Sequence, residues 1–252
     1  MLIDTHTHLY EPKFDSCRKQ LIESLVPNGI DKVICVGCNI ETSRQSVDYA
    51  LDYDFIYAAV GFHPNDVEDI TARQLEEIER LAMQKKVVAI GEIGLDYYRD
   101  YSDRDKQKFW FSQQLDLAKA MDLPVIIHTR DSTLDTLEIV RQHKGIRGVF
   151  HCYSGSLETL DQVLQLGFYI SLGGVVTFKN AKTPKDVAKQ VPLDRLLLET
   201  DCPYLAPEPY RGSTNTPLNV RLVAEQIAML RDMDFESIAN ITSQNAHNLF
   251  GL

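Results

Sequence analysis

At 252 residues the chain can make one large domain or two small ones, and a (β/α)8 barrel falls within this length. Hydrophobic residues at 44% and charged residues at 25% are ordinary for a globular core and exclude a disordered or fibrous chain. The balance of 36 acidic against 26 basic residues argues against a continuous basic face for gripping long duplex DNA, and no apolar stretch approaches the roughly 20 residues that span a bilayer.

Short apolar runs recur along the chain and place its chemistry-bearing residues. Leu2–Thr7 carries His6 and leads directly to His8. Lys32–Cys38 contains Cys35-Val-Gly-Cys38; on a strand, residues three apart point to opposite faces, so this C-x-x-C reads as core cysteines rather than a chelating pair. Ile56–Gly61 precedes His63, and Val87–Ile93 holds Glu92. Ser102 followed by Asp105 predicts a capping box for a helix marked by Phe111, Leu115, Ala118 and Met121. Pro124–His128 ends on a histidine, with Arg130 two residues on, and Gly148–His151 ends on another. Ser156 opens a helix marked by Leu157, Leu160 and Leu164. Phe168–Gly173 and Leu196–Asp201 complete the runs. Pro217 stands in the first turn of a helix marked by Val220, Val223, Ile227 and Leu230, and a last helix lies near Phe235–Leu249. His143 and His247 fall in helical segments and read as structural or solvated.

Eight apolar runs without polar alternation are the mark of parallel strands buried on both faces. Alternating with helices, they predict an α/β fold, a (β/α)8 TIM barrel, as one domain over residues 1–252. The competing architecture, an open doubly wound sheet, lacks a Gly-rich phosphate loop after the first strand. Five scattered cysteines and no visible secretory signal predict reduced thiols in a cytoplasmic protein. No pattern calls for an obligate protein partner.

In such a barrel, catalytic groups come from the carboxyl ends of different strands. His6, His8, Glu92, His128, His151 and Asp201 all stand at such ends and are predicted to converge as metal ligands. Imidazole suits Zn²⁺, Mn²⁺ or Fe²⁺, and carboxylates accept these and Mg²⁺. A carboxylate can bridge two ions, and two ions together can activate water and steady a displaced oxygen. His63 is open to three readings: a seventh ligand, a donor to a substrate anion, or a loop histidine held by a backbone carbonyl. Arg130 could meet a phosphate or form a surface ion pair. Tyr97, Tyr98, Tyr101, Tyr153 and Tyr204 lie near strand ends, where they can either stack a base or pack the rim.

The motifs Asp4-Thr-His6-Thr-His8, Gly-Phe-His63-Pro, Gly91-Glu92-Ile-Gly-Leu-Asp96-Tyr-Tyr, Ile-His128-Thr-Arg130, His151-Cys-Tyr-Ser-Gly155 and Glu199-Thr-Asp201-Cys-Pro-Tyr204-Leu together resemble the TatD family of metal-dependent deoxyribonucleases, within the amidohydrolase-like barrels. The likeness runs from residue 2 to the C-terminal helix. It implies that His6, His8 and Asp201 hold one divalent ion, that His128 and His151 hold a second, and that Glu92 bridges them. The ions implied are Mg²⁺, Mn²⁺ or Zn²⁺. It also implies that Asp201 orients the attacking water or takes its proton, and that His63 contacts the scissile phosphate. The activity so implied is phosphodiester cleavage at DNA ends, with hydrolysis of a small amide, lactone or phosphoester as the alternative on the same site. After Tyr210-Arg211-Gly212 the family commonly runs Lys-Arg-Asn-Glu-Pro, whereas this chain has Ser213-Thr214-Asn215-Thr216-Pro217. Two basic residues are thus absent from a loop expected to border the mouth, which bears on the substrate and leaves the metal ligands untouched.

Overall fold

The computed structural model describes residues 1–252. Eight strands, β1 (Leu2–Thr7), β2 (Ile30–Val36), β3 (Ile56–Val60), β4 (Val87–Asp96), β5 (Val125–Arg130), β6 (Gly148–Phe150), β7 (Tyr169–Leu172) and β8 (Leu196–Leu198), pair in sequence order as one parallel sheet. Between them run α1 (Arg18–Leu25), α2 (Ile40–Asp52), α3 (Ala72–Ala82), α4 (Arg104–Ala120), α5 (Thr133–Gln142), α6 (Leu157–Gln165) and α7 (Lys182–Gln190); α8 (Val220–Arg231) and α9 (Phe235–Phe250) follow β8. A parallel bridge between Thr7 and Cys202, with His8 N–H donating to the Cys202 carbonyl, brings the two edges together. The expected (β/α)8 barrel is therefore the fold.

Strand alternation divides the core into two layers. Val33 and Cys35 face the helices, while Ile34 and Val36 face the barrel interior. Ala246, Leu249 and Phe250 of α9 join the interior cluster with Ile3, Val149 and Leu197. The opposite end, where the strands finish, is left to polar side chains.

The structure adjusts several boundaries. β4 and β5 run three and two residues past their expected ends, because Gly94, Leu95 and Asp96 pair with His128, Thr129 and Arg130. The expected Ser102 capping box does not form. Asp103 caps α4 instead, accepting from the backbone N–H groups of Asp105 and Lys106, since a carboxylate is the stronger acceptor for those unpaired donors. Pro217 lies in a 3₁₀ turn just ahead of α8 rather than in its first turn. Ser156 caps α6 as expected.

One glycine of the Gly-Glu-Ile-Gly motif is explained by this pairing. Gly94 has φ +141°, and a Cβ there would lie 1.9 Å from the His128 carbonyl oxygen. Gly94→Ala is expected to destabilise the fold by about 2–4 kcal/mol, through both backbone strain and displacement of β5. Urea unfolding measures this, and an unchanged midpoint would contradict the close approach.

Candidate metal centre

Seven strand ends bring their polar residues to the same mouth. β1 delivers His6 and, one residue past its end, His8; β4 delivers Glu92 and Asp96; β5 delivers His128; His151 follows β6 and Asp201 follows β8. His63 comes from the turn after β3. Cys38 arrives from the loop after β2, which leaves β7 as the only strand adding no side chain to these contacts. Two local irregularities accompany this delivery. The β1–β2 register shifts between Asp4 and Thr7, around His6, and the β4–β5 register shifts between Ile90 and Ile93, around Glu92. Such irregularities re-aim side chains that strict alternation would send elsewhere. Asp201 has φ 56° and Cys152, directly after His151, φ 44°; both left-handed residues turn the chain at the ends that present the candidate ligands.

Glu92 stands at the centre, 3% exposed, and uses its two oxygens differently. Oε2 faces one group: His6 Nε2 lies at 3.5 Å and His8 Nε2 at 3.9 Å. Asp201 Oδ1 completes that group, 3.3 Å from His8 Nε2 and 3.9 Å from His6 Nε2. Oε1 faces a second group, with His128 Nδ1 and His151 Nε2 each at 2.7 Å. All six predicted ligands are thus brought together, in two clusters that share one carboxylate.

The donor set fits divalent cations. The Val36 carbonyl can only accept, so the hydrogen bond at 3.0 Å from His8 Nδ1 puts the ring proton there and turns the Nε2 lone pair inward. That lone pair faces His6 Nε2 at 3.2 Å, an approach a cation between them would favour. The 3.2–3.9 Å separations in the first group match the roughly 3.3–3.6 Å edges of a tetrahedron with metal–ligand bonds near 2.0–2.2 Å. The second group sits closer and would open by roughly half an ångström to reach the same edges.

Electrostatics follow from this crowding. Burial alone would push the Glu92 carboxyl up, but the imidazoles of His151 and His128 outweigh it and hold Glu92 well below the usual carboxylate range. Asp201 is likewise lowered against the effect of burial, by His8 and His6. His63 behaves differently. Burial takes it down to about 3, so the ring is neutral. Its Nδ1 accepts from the Asn65 backbone N–H at 3.1 Å, which leaves the proton on Nε2, 3.6 Å from Glu92 Oε1. His63 therefore offers the centre a hydrogen-bond donor.

Two buried carboxylates were missed as site residues although both stood in quoted motifs. Asp96 Oδ2 lies 3.4 Å from His128 Nε2, and Glu199 Oε1 lies 3.6 Å from His151 Nδ1. Their signal was available, since each interrupts or closes an apolar strand run where a charge is expensive. The cysteine reading is correct for one residue and corrected for the other. Cys35 is fully buried against Ser46, while Cys38 lies beyond β2 and turns its Sγ to 3.9 Å from Glu92 Oε2. All five cysteines are free. Cys35→Ser should leave metal content unchanged by atomic emission, because its side chain faces α2.

Arg130 lies on the exposed rim of the mouth with its guanidinium 3.9 Å from the Tyr98 ring centre, and it forms no ion pair with Asp131. Tyr97 donates to Asp135 and Tyr153 to the Ser156 carbonyl, so both serve packing. Tyr98, Tyr101 and Tyr204 remain exposed. Asn215 is buried and ties the loop after β8 to the carbonyls of Thr200 and Tyr204; Ser213 and Thr214 beside it are exposed. His143 is held by Ser112 of α4 and by the Ile139 carbonyl, and His247 by the Leu252 carbonyl. No helix is long and apolar enough to cross a membrane.

A closed parallel barrel with histidines and carboxylates gathered at its carboxyl mouth defines the class of metal-dependent barrel hydrolases. The family described as TatD related DNase matches residues 3–251. Similar proteins include the uncharacterized metal-dependent hydrolase YabD of Bacillus subtilis, 47% identical over 99% of both chains. YcfH of Escherichia coli, also named an uncharacterized metal-dependent hydrolase, is 39% identical over 99% of this chain and 95% of its own. The crystal structure of YjjV, the TatD homologue of Escherichia coli K12, superposes with a TM-score of 0.93 at 32% identity, covering 100% of this chain and 98% of that one. The chain belongs to the TatD family of metal-dependent hydrolases.

Proposed function

We propose that this protein cleaves phosphodiester bonds at DNA ends, as a deoxyribonuclease with exonuclease action, using two divalent ions from among Mg²⁺, Mn²⁺ and Zn²⁺. The observation that carries this reading is Glu92, whose two oxygens each face a separate group of imidazoles. His6, His8, Glu92 and Asp201 would hold one ion, and Glu92, His128 and His151 the other. Bound there, the ions would lower the pKa of water and neutralise charge on a phosphoryl oxygen. Asp201, with its carboxyl lowered, is ionised at neutral pH and can orient the attacking water and accept its proton. His63 Nε2–H can donate to a non-bridging phosphate oxygen.

The rim supports a nucleic-acid substrate over a small amide or lactone. Arg130 stacks on Tyr98, Lys13 lies 5.0 Å from the Tyr204 ring centre, and Arg211 lies 4.2 Å from that of Phe178. None of these three cations has a carboxylate partner, and Tyr204 sits 6.0 Å from the His8 ring. Paired cations and aromatic faces suit phosphates and unstacked bases. Lys13, Arg130 and Arg211 supply local positive charge on a chain that is acidic overall, which suits a short end better than a long duplex track. Free thiols are in keeping with a cytoplasmic location.

The test is hydrolysis of end-labelled single-stranded DNA with each metal, with EDTA and Asp201→Asn as controls. Stepwise shortening that needs metal and Asp201 supports the reading; metal-loaded protein that leaves DNA intact removes it. His63→Ala should lower kcat by about 10²–10³-fold with metal content unchanged. Loss of an ion in that variant would make His63 a ligand instead.

A further inference from the structure

We infer that Glu199 is a positioning residue that orients one imidazole in each half of the centre, an inference that rests on the two-ion reading above. Glu199 is fully buried. Its Oε1 accepts from the Cys152 backbone N–H at 2.6 Å, and its Oε2 accepts from the Ser171 hydroxyl. Held from both sides, the carboxylate cannot swing. Its Oε1 lies 3.6 Å from His151 Nδ1, and that nitrogen is buried with no hydrogen-bond partner. A proton on Nδ1 directed at Glu199 leaves the Nε2 lone pair toward Glu92 and the second group.

The reach into the other half comes through ring stacking. The His151 ring lies against the His6 ring, with centroids 3.9 Å apart and planes 14° from parallel. Ring nitrogens of His6 and His151 and an oxygen of Glu199 all lie within 4.8 Å of one another. His6 has no orienting partner of its own, since its Nδ1 is buried and unpaired. His8 has the Val36 carbonyl, and His128 has Asp96. The plane of His6 is therefore set by the stacked ring beneath it, and the plane of His151 by Glu199. One carboxylate orients a ligand from each cluster, whereas Asp96 serves the second cluster alone.

The distinction is measurable without turnover. Metal-free protein is titrated with Mn²⁺ by calorimetry, and bound metal is counted by atomic emission. Wild-type protein is expected to take two equivalents, and fewer would overturn the two-ion reading before any variant is compared. Glu199→Gln should weaken both equivalents, each by about 10–100-fold, while Asp96→Asn weakens one. A Glu199→Gln protein in which only one equivalent weakens, or neither, overturns the shared role while leaving the two-ion reading standing. If Glu199→Gln does not fold, Ser171→Ala replaces it, because that hydroxyl touches Glu199 and none of the imidazoles. A folded Ser171→Ala protein with both equivalents weakened several-fold supports the inference, and wild-type affinities overturn it.

Discussion

Replacing Glu92 with Gln is expected to lower turnover by at least about a thousandfold and to lose metal from both halves of the centre together. The geometry requires the joint loss. Glu92 Oε2 lies 3.5 Å from His6 Nε2, and Oε1 lies 2.7 Å from both His128 Nδ1 and His151 Nε2. An amide offers one oxygen and one NH₂ donor, so at least one cluster would face a group that cannot ligate. The loss of negative charge among four imidazoles also weakens cation binding at the cluster that keeps an oxygen. Atomic emission on the purified variant, with circular dichroism to confirm the fold, decides the matter. Two ions retained with wild-type affinity would show that Glu92 is not the bridge.

Asp201→Asn is expected to cut kcat by about 10²–10⁴-fold, the range that a lost proton acceptor supplies. Its effect on metal should be smaller than that of Glu92→Gln. His6, His8 and Glu92 remain around the first position, and the second cluster contains no atom of Asp201. The left-handed backbone at this position tolerates Asn as readily as Asp, so the substitution changes chemistry with little cost in conformation. Single-turnover rates at saturating Mn²⁺ separate the two effects. A variant as fast as wild type under those conditions would restrict Asp201 to holding the ion.

The barrel was legible because each strand is buried on both faces. Runs such as Val125–Ile127 and Leu196–Leu198 carry no alternation and fit only a sheet covered by helices. The candidate ligand set was legible for a related reason: one histidine closing an apolar run can be a packed residue, but six imidazoles and carboxylates at matching strand ends point to a common site. Caps were less legible. Ser102 and Asp103 both suit the start of α4, and the choice depends on where the backbone leaves β4, which extends to Asp96 only because β5 pairs with it. Cys38 escaped the strand for the same reason, since β2 ends at Val36.

The sequence by itself determined the fold class, the convergence of six candidate ligands and the kinship with TatD hydrolases, because burial pattern, residue chemistry and motif order are written along the chain. Tertiary structure decided what each ligand faces. Glu92 reaches the mouth within a register irregularity that no count of alternating residues reveals. His63 became a donor through the Asn65 backbone N–H, and Glu199, which prolongs β8 by donating its N–H to the Leu172 carbonyl, became the neighbour of His151 through strand pairing. These roles depend on hydrogen-bond partners distant in sequence or on local backbone geometry, and such partners are fixed only when the strands close into the barrel.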